Sequence, residues 1–488
     1  MTSLELDAGG ASTGEQQGTL QGSLGTVGVL FAVLAYNGPL AVVVGFIPVI
    51  VSSGGLGGPG LFILGGILLT LFAVGFLAMG RHMTNPGAFY SYVAAGLGRP
   101  AGVAASFVAI FAYFFALLGA LAFAGLSLPG FITGTLNGPS MTWWAAAFIY
   151  VAVVGLLGYF SIELSAKVLS ILLTGELGII VLSNLFIGAK VGPSHYDLNV
   201  FSPGDWSAGS FGLALLFVML CFGGFEATAV FREEVKDPDR TIPRATYLTI
   251  GVIAVGFAVS TWMFINGFGD MHGFGVDKVV AGAGADPTGA AYANVQHYMG
   301  SFAVDATNLL LCTSIFAATL SCHNIVTRYL YNLGVDSVIP RHMGKVHARH
   351  GSPHLASLTV SAATVVAMLV LAIAVKEPST LYASLTGVAG YAILLLLFAT
   401  SVSVLVYLNR HRPESMGLGV RLVAPVLAIA GLGVSSYLAT TNMGLLVASD
   451  TRGKFLIAAV ALTALVGVGT GFYCRSRKPD VYAQIGRQ

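Results

Sequence analysis

Apolar residues run along this chain in long unbroken blocks, not in the alternating or one-sided patterns of water-soluble elements. The blocks lie near 25–51, 60–80, 101–128, 141–159, 163–189, 209–235, 244–268, 301–331, 354–375, 380–408, 420–440 and 454–474. A helix needs about 20 apolar residues to cross roughly 30 Å of hydrocarbon, and lipid offers no partner to an open backbone, so each block predicts a membrane helix. Twelve transmembrane helices are expected, an even number that puts both termini on one side. The fold class is therefore all-α integral membrane. Residues 1–22 are polar and predict a disordered tail, without the basic start or cleavage site of a signal peptide. Residues 23–475 form the apolar body and 476–488 a second tail. The connection 269–300 is long, rich in Gly and Ala, and predicts a folded lid rather than a loose loop.

Composition agrees with that pattern. Hydrophobic residues make up 56% of the chain and charged residues 9%, against roughly 25% charged in a soluble domain. The 63 glycines suit closely packed or interrupted membrane helices. A net charge of +2 gives no footprint for a nucleic-acid partner, and Cys221, Cys312, Cys322 and Cys474 sit in or beside apolar runs with no disulfide framework. Of the Lys and Arg residues, only Lys190, Lys278, Lys376, Arg452 and Lys454 fall on the side opposite the termini. The positive-inside rule then predicts a multi-pass protein of the cell membrane with both termini cytoplasmic.

Two spans carry helix breakers at membrane depth: Tyr36-Asn37-Gly38-Pro39-Leu40 in the first and Phe222-Gly223-Gly224-Phe225-Glu226 in the sixth. Either alone reads equally well as a simple kink. As a pair they lie five spans apart, and an odd repeat reverses its second half in the membrane. Interrupted helices at matching positions of two inverted halves point to the central site of a transporter. The halves are expected at 25–189 and 209–408, with two additional helices over 420–474.

Glu176 lies midway along the fifth span and Glu226 at the sixth-span break. An acid there costs roughly 2.5–3.5 kcal/mol to insert, so each needs a partner, a proton or a water-lined cavity. Glu226 can face a cation or cap the second half-helix, whose N-terminus favours negative charge. Glu176 can take up and release a proton, or stay protonated and bonded across helices. Both are candidates for proton coupling. Phe225, Tyr113 in the third span and Tyr391 in the tenth are candidate aromatic gates, the two tyrosines chosen by depth and residue type and equally readable as packing. His342, His347, His350 and His354 share a loop with Arg341, Lys345 and Arg349 and read as a solvated basic loop. No metal or cofactor is expected, and no motif of an enzyme occurs.

The stretch Gly223-Gly224-Phe225-Glu226 through Glu233-Glu234 to Ile242-Pro243-Arg244-Ala245 resembles the sixth-helix signature of the amino acid–polyamine–organocation superfamily. Asn85-Pro86-Gly87-Ala88-Phe89-Tyr90 resembles that family's loop after the second helix, and Arg328-Tyr329-Leu330-Tyr331 with Gly351-Ser352-Pro353-His354 its loop after the eighth. The resemblance implies a five-plus-five inverted repeat with discontinuous helices 1 and 6, moving amino acids or polyamines by alternating access. It further implies an amine held on sixth-helix carbonyls and a carboxylate on first-helix amides. Pro39 departs from the usual first-helix turn by removing one amide donor. Glu176 stands nine residues after Lys167, where one proton-coupled branch carries a lysine. The resulting expectation is a proton-coupled amino acid permease. Its substrate would be held by residues 36–40 and 222–226. The alternative is a polyamine or organic-amine carrier of the same fold.

Overall fold

The computed structural model describes residues 25–83, 89–160, 166–207, 209–226, 235, 237–273, 276–347, 351–375, 378, 380–411 and 416–486. The described residues are helical: α1 (Thr26–Asn37), α2 (39–54), α3 (Gly58–Gly80), α4 (Phe89–Leu97), α5 (Arg99–Gly130), α6 (Trp143–Tyr159), α7 (Ala166–Val191), α8 (Phe211–Cys221) and α9 (Pro238–His272). There follow α10 (Val276–Ala285), α11 (Pro287–Met299), α12 (Ser301–Val335), α13 (His354–Ala374), α14 (Leu381–His411), α15 (Ala424–Thr441), α16 (Asp450–Arg477) and α17 (Pro479–Gln484).

Nine helical runs among the described residues are long and apolar enough to cross a membrane. The first, Pro39–Gly80, has 42 residues, about twice what the hydrocarbon needs. It is divided where Gly55 takes a φ of +73°, so α2 and α3 are separate helices meeting at a tight turn. Three shorter apolar helices, Thr26–Ala35, Trp143–Tyr159 and Phe211–Cys221, accompany the nine.

Helix α5 is central, packing against α12, α14 and α16. Small residues let these backbones close up: a Cβ on Gly467 would meet Ala104 at 2.5 Å, and one on Gly471 would meet Pro100 at 2.5 Å. α1 contacts α7, α9 and α12, while α8 sits among α2, α3, α14 and α15. The two interrupted segments are thereby held in the middle of the bundle.

Three segments are more ordered than a loop or tail. Residues 89–97, expected as connection, form α4 with Phe89, Tyr90 and Tyr92 buried. The expected lid is built from α10 and α11, packed on α2. The C-terminal residues fold back, with Arg99 donating to Ala483 O at 3.1 Å and lying over the Tyr482 ring at 5.1 Å. Of the histidine loop, His350 lies outside the described residues, and the His347 and His354 rings stand 5.2 Å apart.

Candidate substrate site

The first break follows from two adjacent residues. Gly38, at φ +63°, adopts the left-handed cap that side chains resist, and its amide ends α1 on Leu34 O at 3.1 Å. Pro39 restarts the helix at its first position, where its fixed φ fits and its missing N–H matters least to the helix. Farther on, Pro48 cannot donate and would crowd the preceding turn. The helix answers by widening into a π turn over Val42–Phe46, and the Gly45 carbonyl accepts the Tyr382 hydroxyl at 2.7 Å.

The second break follows α8. Residues 222–224 form a turn in which Gly224 has a φ of +99°. Asn37 spans the gap between the two breaks, its Nδ2 donating to Cys221 O at 2.6 Å and Gly223 O at 3.2 Å. Asn37 Oδ1 is buried and has no partner among the described residues. The ends of α1 and α8 both present carbonyls here, and a helix C-terminus carries partial negative charge. This junction favours a cation or a hydrogen-bond donor.

Each break also holds a carboxyl. Glu226 is 6% exposed; its Oε1 accepts the Tyr113 hydroxyl at 2.7 Å and its Oε2 the Gly224 amide at 3.0 Å. Glu176 is 5% exposed; its Oε2 accepts the Ser314 hydroxyl at 2.8 Å and the Leu40 amide at 3.3 Å. Leu40 lies in the first turn of α2, where amides have no helical partner and anions are favoured, so Glu176 serves as the anion at that helix start. No Lys or Arg is among the buried residues described.

The structure therefore brings together Asn37, Gly38, Leu40, Tyr113, Glu176, Gly223, Gly224 and Glu226. Tyr36 is helical in backbone, but its side chain lies outside the described residues. Pro39 and Phe222 belong to the breaks through their backbone; the Phe222 ring points at Phe62, 6.3 Å away. Phe225 meets Phe72 edge-on at 5.7 Å. The Tyr391 hydroxyl pairs with Thr440 Oγ1 at 3.0 Å, toward α15, so the structure does not bring it to the two acids. Ser314 and Tyr329 were not anticipated. A Cβ on Gly38 would stand 3.1 Å from Ser314 Oγ, and the Tyr329 ring lies 6.3 Å from that of Tyr113, its buried hydroxyl without a partner among the described residues.

Comparison with known proteins bears on what such a junction serves. The model of the amino acid permease family matches residues 28–482. The chain belongs to the amino acid permease family. Among curated relatives, this permease is 24% identical over 315 residues to the low-affinity putrescine importer PlaP of Escherichia coli, covering 63% of this chain and 65% of that one. It is 23% identical over 377 residues to the serine/threonine exchanger SteT of Bacillus subtilis, covering 76% and 80%. It is 24% identical over 321 residues to the branched-chain amino acid permease BcaP of Bacillus subtilis, covering 62% and 65%. The match to the importer and to BcaP thus spans just under two thirds of their own length. The family and these relatives are transporters, and the permease is a multi-pass membrane protein.

Proposed function

We propose that this permease imports amino acids across the cytoplasmic membrane by alternating access, coupled to protons. The observation that carries this reading is the Glu176 carboxylate on the Leu40 amide at the start of α2. A substrate carboxylate would seek the same unsatisfied amides. Charged, Glu176 occupies them and competes; protonated, it is a weaker acceptor and releases Leu40 N–H. One proton on Glu176 thereby admits one carboxylate, and the substrate ammonium lies toward the carbonyls of Cys221 and Gly223 now held by Asn37. Glu226 supplies the negative charge beside that ammonium. The architecture we assign is twelve crossings as a five-plus-five inverted repeat with discontinuous helices 1 and 6, plus two further helices, with both termini cytoplasmic. The two breaks and the asymmetry of basic residues support it.

One feature favours a second reading, a polyamine or organic-amine carrier. Pro39 offers no amide and Leu40 N–H is taken, while two carboxyls and two helix C-termini converge. That balance suits a cation without a carboxylate, and one relative is named a putrescine importer.

Accumulation in proteoliposomes separates the readings, using radiolabelled serine and putrescine with an inward or absent pH gradient. The amino acid reading expects serine to accumulate only with the gradient and to lose that dependence in Glu176→Gln. Putrescine accumulation without serine uptake would give the site to the second reading. Neither probe moving, with no trans-stimulation by preloaded substrate, would contradict both.

A further inference from the structure

A cavity of about 40 Å³ lies beside the junction, on the side covered by α11. Apolar residues, Leu40 among them, form most of its wall, and Ser183, Asn184, Ser260, Asn294 and Thr307 add polar groups from α7, α9, α11 and α12. A water needs roughly 10–15 Å³ of such space, so the cavity has room for about three. Part of this polar lining is paired within the cavity wall, and part keeps spare capacity. Asn184 Nδ2 donates to Ser260 Oγ at 3.0 Å, and Asn294 Nδ2 to Phe264 O at 3.2 Å. Asn294 is 3% exposed, and its Oδ1 has no partner among the described residues. Buried polar groups left with spare capacity are where structural water binds.

The cavity is also placed to matter. Ser183 is seven residues, two helical turns, beyond Glu176 on the same face of α7. Leu40 is common to both, lining the cavity while its amide donates to the Glu176 carboxylate. We propose that this cavity is a water-filled proton route, running from beneath α11 past Ser183 and Asn294 to Glu176, separate from the substrate path. The proposal rests on Glu176 being the coupling acid. Ionisable groups near the lining residues on these helices are Lys190 of α7, Tyr292, His297 and Tyr298 of α11, and Asp305 and Cys312 of α12. α2 has none, and those of α9 lie toward its ends, at Asp239, Arg240, Arg244, Tyr247, Asp270 and His272. A proton arriving through water adds to a carboxylate oxygen, leaves hydroxide to be neutralised by the next proton along the chain of waters, and consumes no other reactant.

Two readouts on the purified full chain test this without knowledge of the substrate. In the first, Ser183→Cys and Asn184→Cys are labelled with a small cationic methanethiosulfonate, with Val181→Cys, 54% exposed on the outer face of the bundle, as lipid-side control. Labelling of the two cavity positions at least tenfold faster than the control is expected; equal slow rates overturn a hydrated cavity. In the second, infrared spectroscopy follows the carboxyl band that Glu176→Gln removes, after a rapid pH drop. Asn294→Leu should slow its appearance about tenfold without changing its final amplitude, and Ser183→Leu makes the same test if Asn294→Leu does not fold. An unchanged rate overturns the route and leaves Glu176 as coupling acid. Absence of any band lost in Glu176→Gln overturns the coupling reading and the route together.

Discussion

At the scale of single residues, the site is a set of acceptors waiting for donors. Glu226 accepts hydrogen bonds from Tyr113 and Gly224, both neutral groups. Glu226→Gln keeps an acceptor for Tyr113 but loses the one for the Gly224 amide, and should weaken binding of a protonated amine about tenfold or more, in line with charge-assisted bonds of roughly 1.5–3 kcal/mol. Uptake at the wild-type rate in that variant removes the carboxylate from substrate binding. Tyr113→Phe deprives Glu226 Oε1 of that donor and should lower thermal stability, a buried acceptor left without its partner costing about 1–3 kcal/mol. An unchanged melting temperature would show that the bond carries no net stability. These acids were legible in the sequence because carboxylates are rare at membrane depth. Tyr391 was not, because depth along a helix does not give rotation about its axis: its hydroxyl faces Thr440. Ser314 left a signal that was passed over, since Thr307 and Ser314 are seven apart and share one face of α12, forming a polar stripe toward α7 and the first break.

At the scale of elements, the breaks explain where charge belongs. α1 and α8 end in carbonyls at the junction, and α2 begins there with amides, so one break offers both polarities and the other a carbonyl end. Pro39 thins the amide side. Pro39→Ala should restore one donor and shift preference toward carboxylate-bearing ligands by about tenfold, the worth of one bond to a charged group. The ratio of serine to putrescine affinity measures this; a ratio unmoved by the substitution would mean that no carboxylate reaches α2. Glycine and proline made both breaks readable from sequence, because their backbone limits hold whatever surrounds them. The short helix α4 was read as connection because nine residues give little periodicity; it exists because Phe89, Tyr90 and Tyr92 find a buried surface. The lid helices were anticipated only as a folded segment.

At the scale of the whole molecule, the C-terminal residues up to Gly486 pack back against the bundle. The Tyr90 hydroxyl donates to Asp336 Oδ2 at 2.6 Å and accepts the Gly486 amide at 3.0 Å. Burial first, and then the Asp336 carboxylate, push the Tyr90 ionisation upward, so the phenol remains a donor. Removing residues 479–488 should lower the melting temperature and leave ligand affinity within about threefold; a larger change in affinity would mean that this contact reaches the site. The overall fold was legible because apolar run length is set by the bilayer, whereas the docking of the tail depends on surfaces that only the folded bundle creates. The central claim is that the junction binds an amine and admits a carboxylate only when Glu176 is protonated. The most direct measurement is thermal stabilisation of the purified permease by amino acids, their esters, polyamines and simple amines at two pH values, since a ligand bound only by the folded state raises its stability by mass action. The account predicts stabilisation by α-amino acids that strengthens as pH falls, is lost on esterification, and loses its pH dependence in Glu176→Gln. Stabilisation by amines alone, indifferent to a carboxylate and to Glu176, would contradict it.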